Sequence, residues 1–583
     1  MFLIGIGKAD ITAFERGAGM LGYAMHSHVA LNVETPLFAR AYVIQDIEKQ
    51  NKIAIVNCEI CFITPLLTQS VLAYLKKHFP EIGITDENLM ISATHTHCSP
   101  AGYSAHPIYN VPVPGFIQNV LDILVKGIAE AIVMADKNKT KATISIGKSS
   151  FDNDTPVSFN RAVDAYNQNP EVTKKISFEQ RILATDKEMT LLNFISEEGV
   201  LLGSINWFGV HTTNLPNNYM KLCSDNKGFA ADYLEQNFKK RNPNYIGAFA
   251  QGACGDVSAR VKYNSKLPFQ RGKYEGFYAD DLKSSKFNGQ LQYEKAKEII
   301  VGNQTKIKGE EVDSVIQYLD FGTIDILPEF NNGKSGAVTS PAVMGIPFLV
   351  GSIMDGPGMH PLLGKGAAVV AEFVKIQDMK KAKETTDESE KEAILRKYKA
   401  QGKKHFAIEA GEKRLLGFRD VSKLFIPGFA DPTIKYLKQF AELGLFNEHS
   451  WTPQILPIQI FRVGMIAFVA FPFEITTVSS YRLKKTLEDN LFQFGFQYII
   501  LCPYSNSFNG YITTYEEYQV QAYEGGHCVF GQWSLNALQQ VSSNLAEQLL
   551  KDKKDRAIPF VQDTPISKDY LKRFAYIRKL AVI

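Results

Sequence analysis

Short apolar runs that break off into polar, turn-forming residues constrain this chain more than any other feature of its sequence. "FARAYVIQD", "KIAIVNCEI" and "NLMISAT" read as strands within the first hundred residues, with a helical stretch near 66–79 among them. That alternation predicts an α/β fold of mixed β-sheets flanked by helices. The segment 114–139 has apolar residues at helical spacing and predicts a long amphipathic helix, and "KATISIGKSSFD" then returns to strand. Residues 191–211 read as a hairpin turning at "SEEG", and 228–243 as a helix ended by Asn-Pro before the strand "YIGAFAQ". Strands recur at 454–474 and "YIILCPY", with helices at "VSSYRLKKTLEDNL" and "WSLNALQQVSSNLAEQLLKDKK".

At 583 residues the chain exceeds what one hydrophobic core usually serves. Its 64 basic and 61 acidic side chains nearly cancel, and no basic stripe is interleaved with aromatics, so nucleic acid is not an expected partner. No window of 18 apolar residues is free of charge, and "MFLIGIGKADIT" lacks the basic start and cleavage site of a signal peptide. Seven cysteines without regular spacing read as reduced thiols. The expected location is cytoplasmic, or secreted or periplasmic if a leader has been trimmed. Residues 375–404, rich in Lys and Glu, read as a solvated helix or mobile excursion.

Several strand ends carry groups that could do chemistry. "ISATHTHCSP" sets His95 and His97 one residue apart, and side chains two apart in a strand share a face. His211 ends the run "INWFGVH", and Glu474 follows "AFVAFPF". A buried carboxylate asks for a partner, and histidines with one carboxylate make a catalytic zinc set. By position alone each is also an ordinary hydrogen-bonded residue. "AQGACGDVSAR" allows close backbone approach around Asp256 and Ser258, whereas "GSIMDGPGMHP" reads as a structural turn. Tyr511, Tyr515, Tyr518 and Tyr523 cluster in 505–526, a packing stripe or a source of ligands and donors.

Taken in order, "GIGKADIT", "GYA", "NLMISATHTHCSPAGY", "FNRA", "INWFGVHTTN", "SDNKGFAADYLE", "AFAQGACGDVS", "GSIMDGPG", "FPFEITT" and "NGYITTYEEYQVQAYEGG" resemble the neutral (non-lysosomal) ceramidase family over nearly the whole chain. The resemblance implies a catalytic domain over 1–550, followed by a C-terminal extension over 551–583; the family's C-terminal immunoglobulin-like domain is not expected, because the last 30 residues hold no run of short alternating strands. It implies Zn2+ held by His95, His211, Glu474 and Tyr511 at the C-terminal ends of strands. It further implies that His97 lines the site and shuttles a proton, that Arg161 and Tyr523 meet the substrate amide, and that Ser258 sits in the active site. The implied activity is hydrolysis of the N-acyl amide of ceramide, or a similar N-acyl lipid, to fatty acid and sphingoid base by a zinc-activated water. Peripheral membrane contact would give access to that substrate.

Departures from the family pattern cluster near these residues. "CSPAG" stands for Ser-Gly-Pro-Gly-Gly, "TTN" for Gly-Thr-Ser, "AR" for Pro-Asn after the serine, and Phe473 for the Gly before Glu474. They bring Arg260 near the site and keep two alternatives open: a zinc amidase for another N-acylated small molecule, its pocket re-lined by Phe473 and Arg260, or a catalytically silent lipid-binding relative. Loops 101–115 and 330–350 are candidates for lids.

Overall fold

The computed structural model describes residues 1–110, 115–352, 354–423 and 432–575. A nine-stranded sheet is built from β1 (Phe2–Asp10), β2 (Phe38–Asp46), β3 (Lys52–Cys58), β4 (Leu89–Ala93), β5 (Thr140–Ser150), β6 (Glu188–Ser196), β7 (Leu201–Phe208), β8 (Ile246–Gln251) and β9 (Thr305–Lys306). Its order is β8-β7-β6-β5-β1-β2-β3-β4, with β9 beside β5. The two ends, β3–β4 and β7–β8, pair in parallel; the middle is antiparallel. A second sheet, β10 (Val312–Asp320), β11 (Ile455–Val463), β12 (Ile466–Ala470) and β13 (Tyr498–Cys502), is antiparallel except for β12–β13.

The two sheets pack face to face, and period-two alternation decides what each strand contributes. Ile205 and Trp207 of β7 point into the layer between the sheets, where Trp207 meets Phe468 at 5.7 Å; Phe208 points the other way, to helices. Helices α1 (Pro65–His78), α2 (Gln118–Lys137), α3 (Asp225–Phe238) and α4 (Asp281–Val301) cover the outer face of the large sheet. Helices α5 (Thr477–Leu491) and α6 (Ser534–Leu549) cover that of the small one. The result is four layers: helices, sheet, sheet, helices.

Local chemistry sets these elements. Thr64 caps α1 by accepting from the Leu67 N–H, Pro65 supplies the first-turn φ, and Lys76 and Lys77 face the C-terminal carbonyls. β1 lies close under α2 because Gly5 and Gly7 have no side chain: a Cβ on Gly5 would stand 1.8 Å from the Ala135 carbonyl oxygen.

Residues 375–404 are not a loose excursion. They belong to two helices, Pro361–Glu384 and Glu388–Gln401, and Lys397 is buried where it pairs with Glu409 at 2.7 Å and Glu412 at 2.8 Å. In the 551–583 extension, Tyr570 and Phe574 are fully buried in the main core; residues 576–583 lie outside the described part. Of the lid candidate 101–115, residues 101–110 are buried or nearly so, with Tyr109 packed on Phe62 and Phe508, and form a connection; 111–114 lie outside the described residues. No described helix is long and apolar enough to cross a membrane.

Candidate metal centre

Four strand ends converge on one point. β4 stops at Ala93, so His95 and His97 are not strand neighbours, and the shared-face argument fails. What aims His95 is a left-handed backbone, φ 66°, with its N–H bonded to the Ile60 carbonyl. A parallel bridge between Thr96 and Thr212 then sets this loop beside the one that follows β7. Glu474 follows β12 and pairs with Tyr511 in a two-residue parallel ladder, Glu474–Ile475 with Tyr511–Ile512.

Both histidines are fixed through Nδ1. His95 donates to the Cys61 carbonyl at 2.7 Å; His211 donates to the carbonyls of Cys254 at 2.7 Å and Val257 at 3.0 Å. With Nδ1 committed to backbone carbonyls, each Nε2 faces inward, the orientation of metal-bound histidines. His95 Nε2 lies 3.6 Å from Glu474 Oε1, and His211 Nε2 lies 3.3 Å from Oε2. Oε2 is buried without a hydrogen bond among the described residues, and the ligand atoms of all three residues lie within 4.8 Å of one another. The Tyr511 hydroxyl bonds to Glu474 and receives Arg161 Nη2 at 3.0 Å.

Electrostatics point the same way. Burial would raise the Glu474 carboxyl, but His95, His211 and Tyr511 outweigh it and bring it down to about 2. Burial keeps His95 neutral, down to about 4, and drives His97 well below its ordinary value. His211 alone is pushed up, where Cys254 and Glu474 outweigh burial and Arg161. A charged carboxylate among inward-facing imidazoles fits a divalent cation, and the two-imidazole, one-carboxylate set with a phenol suits zinc. Cys61 with His95 and His97 forms a second cluster, but burial raises the Cys61 thiol and keeps it a poor ligand.

The remaining expected residues surround this point. His97 Nε2 lies 3.1 Å from His95 Nε2, and its ring meets Tyr23 edge-on at 4.7 Å. Tyr523 stands 5.6 Å from Tyr511 and is partly exposed, whereas all three Arg161 nitrogens are engaged: Nε with Glu524, Nη1 with Asp355, Nη2 with the Gly255 carbonyl and Tyr511. Ser258 donates to Asp355 Oδ1 at 2.6 Å. The loop read as a structural turn thus carries the hub of the site, since Asp355 also accepts from Thr213 at 2.7 Å and pairs with Arg161 at 2.6 Å. Asp355, Glu524, Tyr23 and Tyr504, whose ring lies 4.5 Å from that of His95, escaped residue-level reading. Their only signal was membership of the quoted segments or proximity to them. Arg260 is buried, with Nη2 3.0 Å from the Tyr23 hydroxyl. Phe473 does not line the site; it packs in the core at 5.0 Å from Phe321 and 6.2 Å from Phe530, because Glu474 takes the site-facing position.

Residues 2–414 and 435–540 match the family model described as neutral/alkaline non-lysosomal ceramidase, N-terminal. The chain belongs to this family of hydrolases. It is 28% identical over 549 residues to the neutral ceramidase of Pseudomonas aeruginosa, covering 94% of this chain and 72% of that one. It is also 28% identical over 575 residues to neutral ceramidase A of Dictyostelium discoideum, covering 94% and 73%. A solved ceramidase complexed with C2 superposes with a TM-score of 0.75 at 27% identity, over 98% of this chain and 77% of that one. A crystal structure of the Pseudomonas aeruginosa neutral ceramidase gives 0.73 at 27% identity, over 98% and 76%.

Proposed function

We propose that this protein is a zinc-dependent amidohydrolase that cleaves the N-acyl amide of ceramide, or a closely similar lipid, to fatty acid and sphingoid base. The observation that carries it is the pair of inward-facing Nε2 atoms, His95 beside Glu474 Oε1 and His211 beside Oε2, with the ligand atoms of all three residues within 4.8 Å of one another. His95, His211, Glu474 and Tyr511 would hold the ion. Bound there, zinc supplies Lewis acidity, which makes water a stronger acid and polarises an amide carbonyl.

The protein's own groups do the rest. His97 Nε2, beside His95, takes a proton from the attacking water and returns it to the leaving amine. Tyr523 donates to the carbonyl oxygen as charge collects there. Arg161, with every nitrogen engaged, acts by holding Tyr511 in place. Ser258 binds substrate and is not the nucleophile: its proton partner is Asp355, and among the described residues no histidine stands within hydrogen-bond reach of it.

A different N-acylated substrate is the second reading. Arg260 Nη1 is buried without a hydrogen-bond partner among the described residues, which favours an acyl amide whose other half carries an anion. Metal analysis with a substrate panel tests both. The purified protein should contain one zinc per chain and release fatty acid from a short-chain ceramide, and His211→Ala should lose both. Faster turnover of N-acyl amino acids would select the second reading. Absence of zinc, or of turnover on any N-acyl amide, would leave a silent lipid-binding relative.

A further inference from the structure

The 361–384 helix presents its apolar side to solvent. Leu362, Leu363, Val369, Phe373 and Ile376 are each 60–71% exposed. At 100° per residue, Leu362, Val369, Phe373 and Ile376 fall within one narrow stripe, with Leu363 and Val370 on its flank. The buried residues of the same helix, Gly364, Ala371, Asp378 and Ala382, form the opposite stripe. The outward face is therefore the hydrophobic one, the reverse of a helix lying on a soluble core. Isolated exposed apolar residues need no explanation, but a contiguous stripe of large ones marks a contact surface.

Charge says what covers it. The stripe ends at Ile376, and the following turns carry Lys380, Lys381 and Lys383, with Lys365 beside the apolar residues. Lys380 and Lys381 also reach Glu384 and Glu390. Large apolar residues on one side with lysines at the margin are the pattern of a helix lying in the interfacial plane of a bilayer, apolar face down and ammonium groups among the headgroups.

Its place in the fold links this face to the site. Only six residues separate Asp355 from Leu362, and the turn between them is tied back by the Gly358 and Met359 N–H groups to the carbonyls of Val350 and Leu349. Val350 packs against Gly364, and Phe348, two residues back, stacks 6.1 Å from Tyr523. Phe348, Leu349 and Val350 thus form a half-buried apolar path between the exposed stripe and the catalytic centre.

We propose that the 361–384 helix docks this protein on a lipid bilayer and aligns the Phe348–Tyr523 path with the membrane, from which an acyl chain enters. The substrate half of that statement rests on the amidase reading; the docking half does not.

Flotation with phosphatidylcholine vesicles, with and without added phosphatidylglycerol, tests docking directly. The wild type should float with vesicles, more strongly with the anionic lipid. Val369→Asp combined with Phe373→Asp should weaken binding on the order of a hundredfold. Both proteins should hydrolyse a soluble short-chain ceramide equally, because neither residue touches the centre. Phe373→Ser alone, with an unchanged circular dichroism melt, guards against misfolding. The proposal is overturned if the wild type does not float, if the double variant floats equally well, or if light scattering shows a wild-type dimer that the double variant dissolves. Vesicle binding that is lost in the variant, with no amide turnover in either protein, would uphold the docking face and reject the amidase.

Discussion

Asp355 ties together more of the centre than any of the four proposed ligands does. Its carboxylate receives Arg161, Ser258 and Thr213, and Arg161 in turn holds Tyr511. Replacing it by Asn removes one of the two carboxylates paired with the buried Arg161 and leaves Glu524 alone to compensate the guanidinium. Asp355→Asn should cost about 3–5 kcal/mol in chemical denaturation, whereas Ser258→Ala, which removes one neutral donor, should cost about 1 kcal/mol. Gly22 has a sharper role. Its φ of 115° and the His97 ring leave no space for a side chain, since a Cβ would lie 2.3 Å from His97 Cγ. Gly22→Ala should therefore displace His97, the proposed proton carrier, and lower kcat on the order of a hundredfold, with zinc content unchanged by elemental analysis. Tyr523→Phe should lower kcat on the order of 10²–10³-fold with zinc retained. His95, His211 and Glu474 were legible because each ends an apolar run, and strand ends are where α/β sheets bind ligands. Asp355 was not: a Gly- and Pro-rich loop looks the same whether its carboxylate caps a turn or anchors a guanidinium 194 residues away.

At the scale of elements, the stretch after Tyr511 shows how a short helix stabilises a site. Thr514 and Glu517 form a capping box, and Glu517 also accepts from Thr476, two residues after Glu474, and from Asn169. Burial, then the nearby Asp256 carboxyl, push Glu517 up to about 7; burial pushes Asp256 up to about 6. The sign follows from linkage. A carboxyl whose folded value exceeds its unfolded one binds more protons when folded, so it contributes stability at low pH that is lost as pH rises toward 7. Wild type should therefore lose stability relative to Glu517→Gln as pH rises from 5 to 8, read as the difference between the two proteins' melting temperatures at each pH. Element types were read well where periodicity was long: α2, the β6–β7 hairpin, α3 and β11–β12 all stand near their expected limits. The charged 375–404 region is mostly exposed helix, one of its two expected readings, but composition reports solvent preference only on average. A single buried Lys397 with two carboxylates is invisible to that average. The histidine pair shows the opposite case, a convergence correctly expected from a strand that does not reach it.

At the scale of the whole molecule, the fold brings together residues far apart in sequence by stacking two sheets. α/β character and flanking helices were legible in the order of runs, but nothing in periodicity tells which sheet a strand joins. The extension beyond residue 550 is integral to this arrangement, since Phe574 packs at 5.0 Å from Phe440 in the main core. Phe574→Ala should lower unfolding free energy by about 3–5 kcal/mol, read from denaturant titration.

His95 and His211 leave the large sheet, whereas Glu474 and Tyr511 leave the small one. An ion gripping all four is a rivet through both halves of the sandwich. Chelation should then lower the melting temperature as well as abolish turnover, and zinc should restore both along the same titration curve. A polypeptide whose halves have not yet closed on each other has no complete nest for the ion, so maturation and the onset of activity become one event.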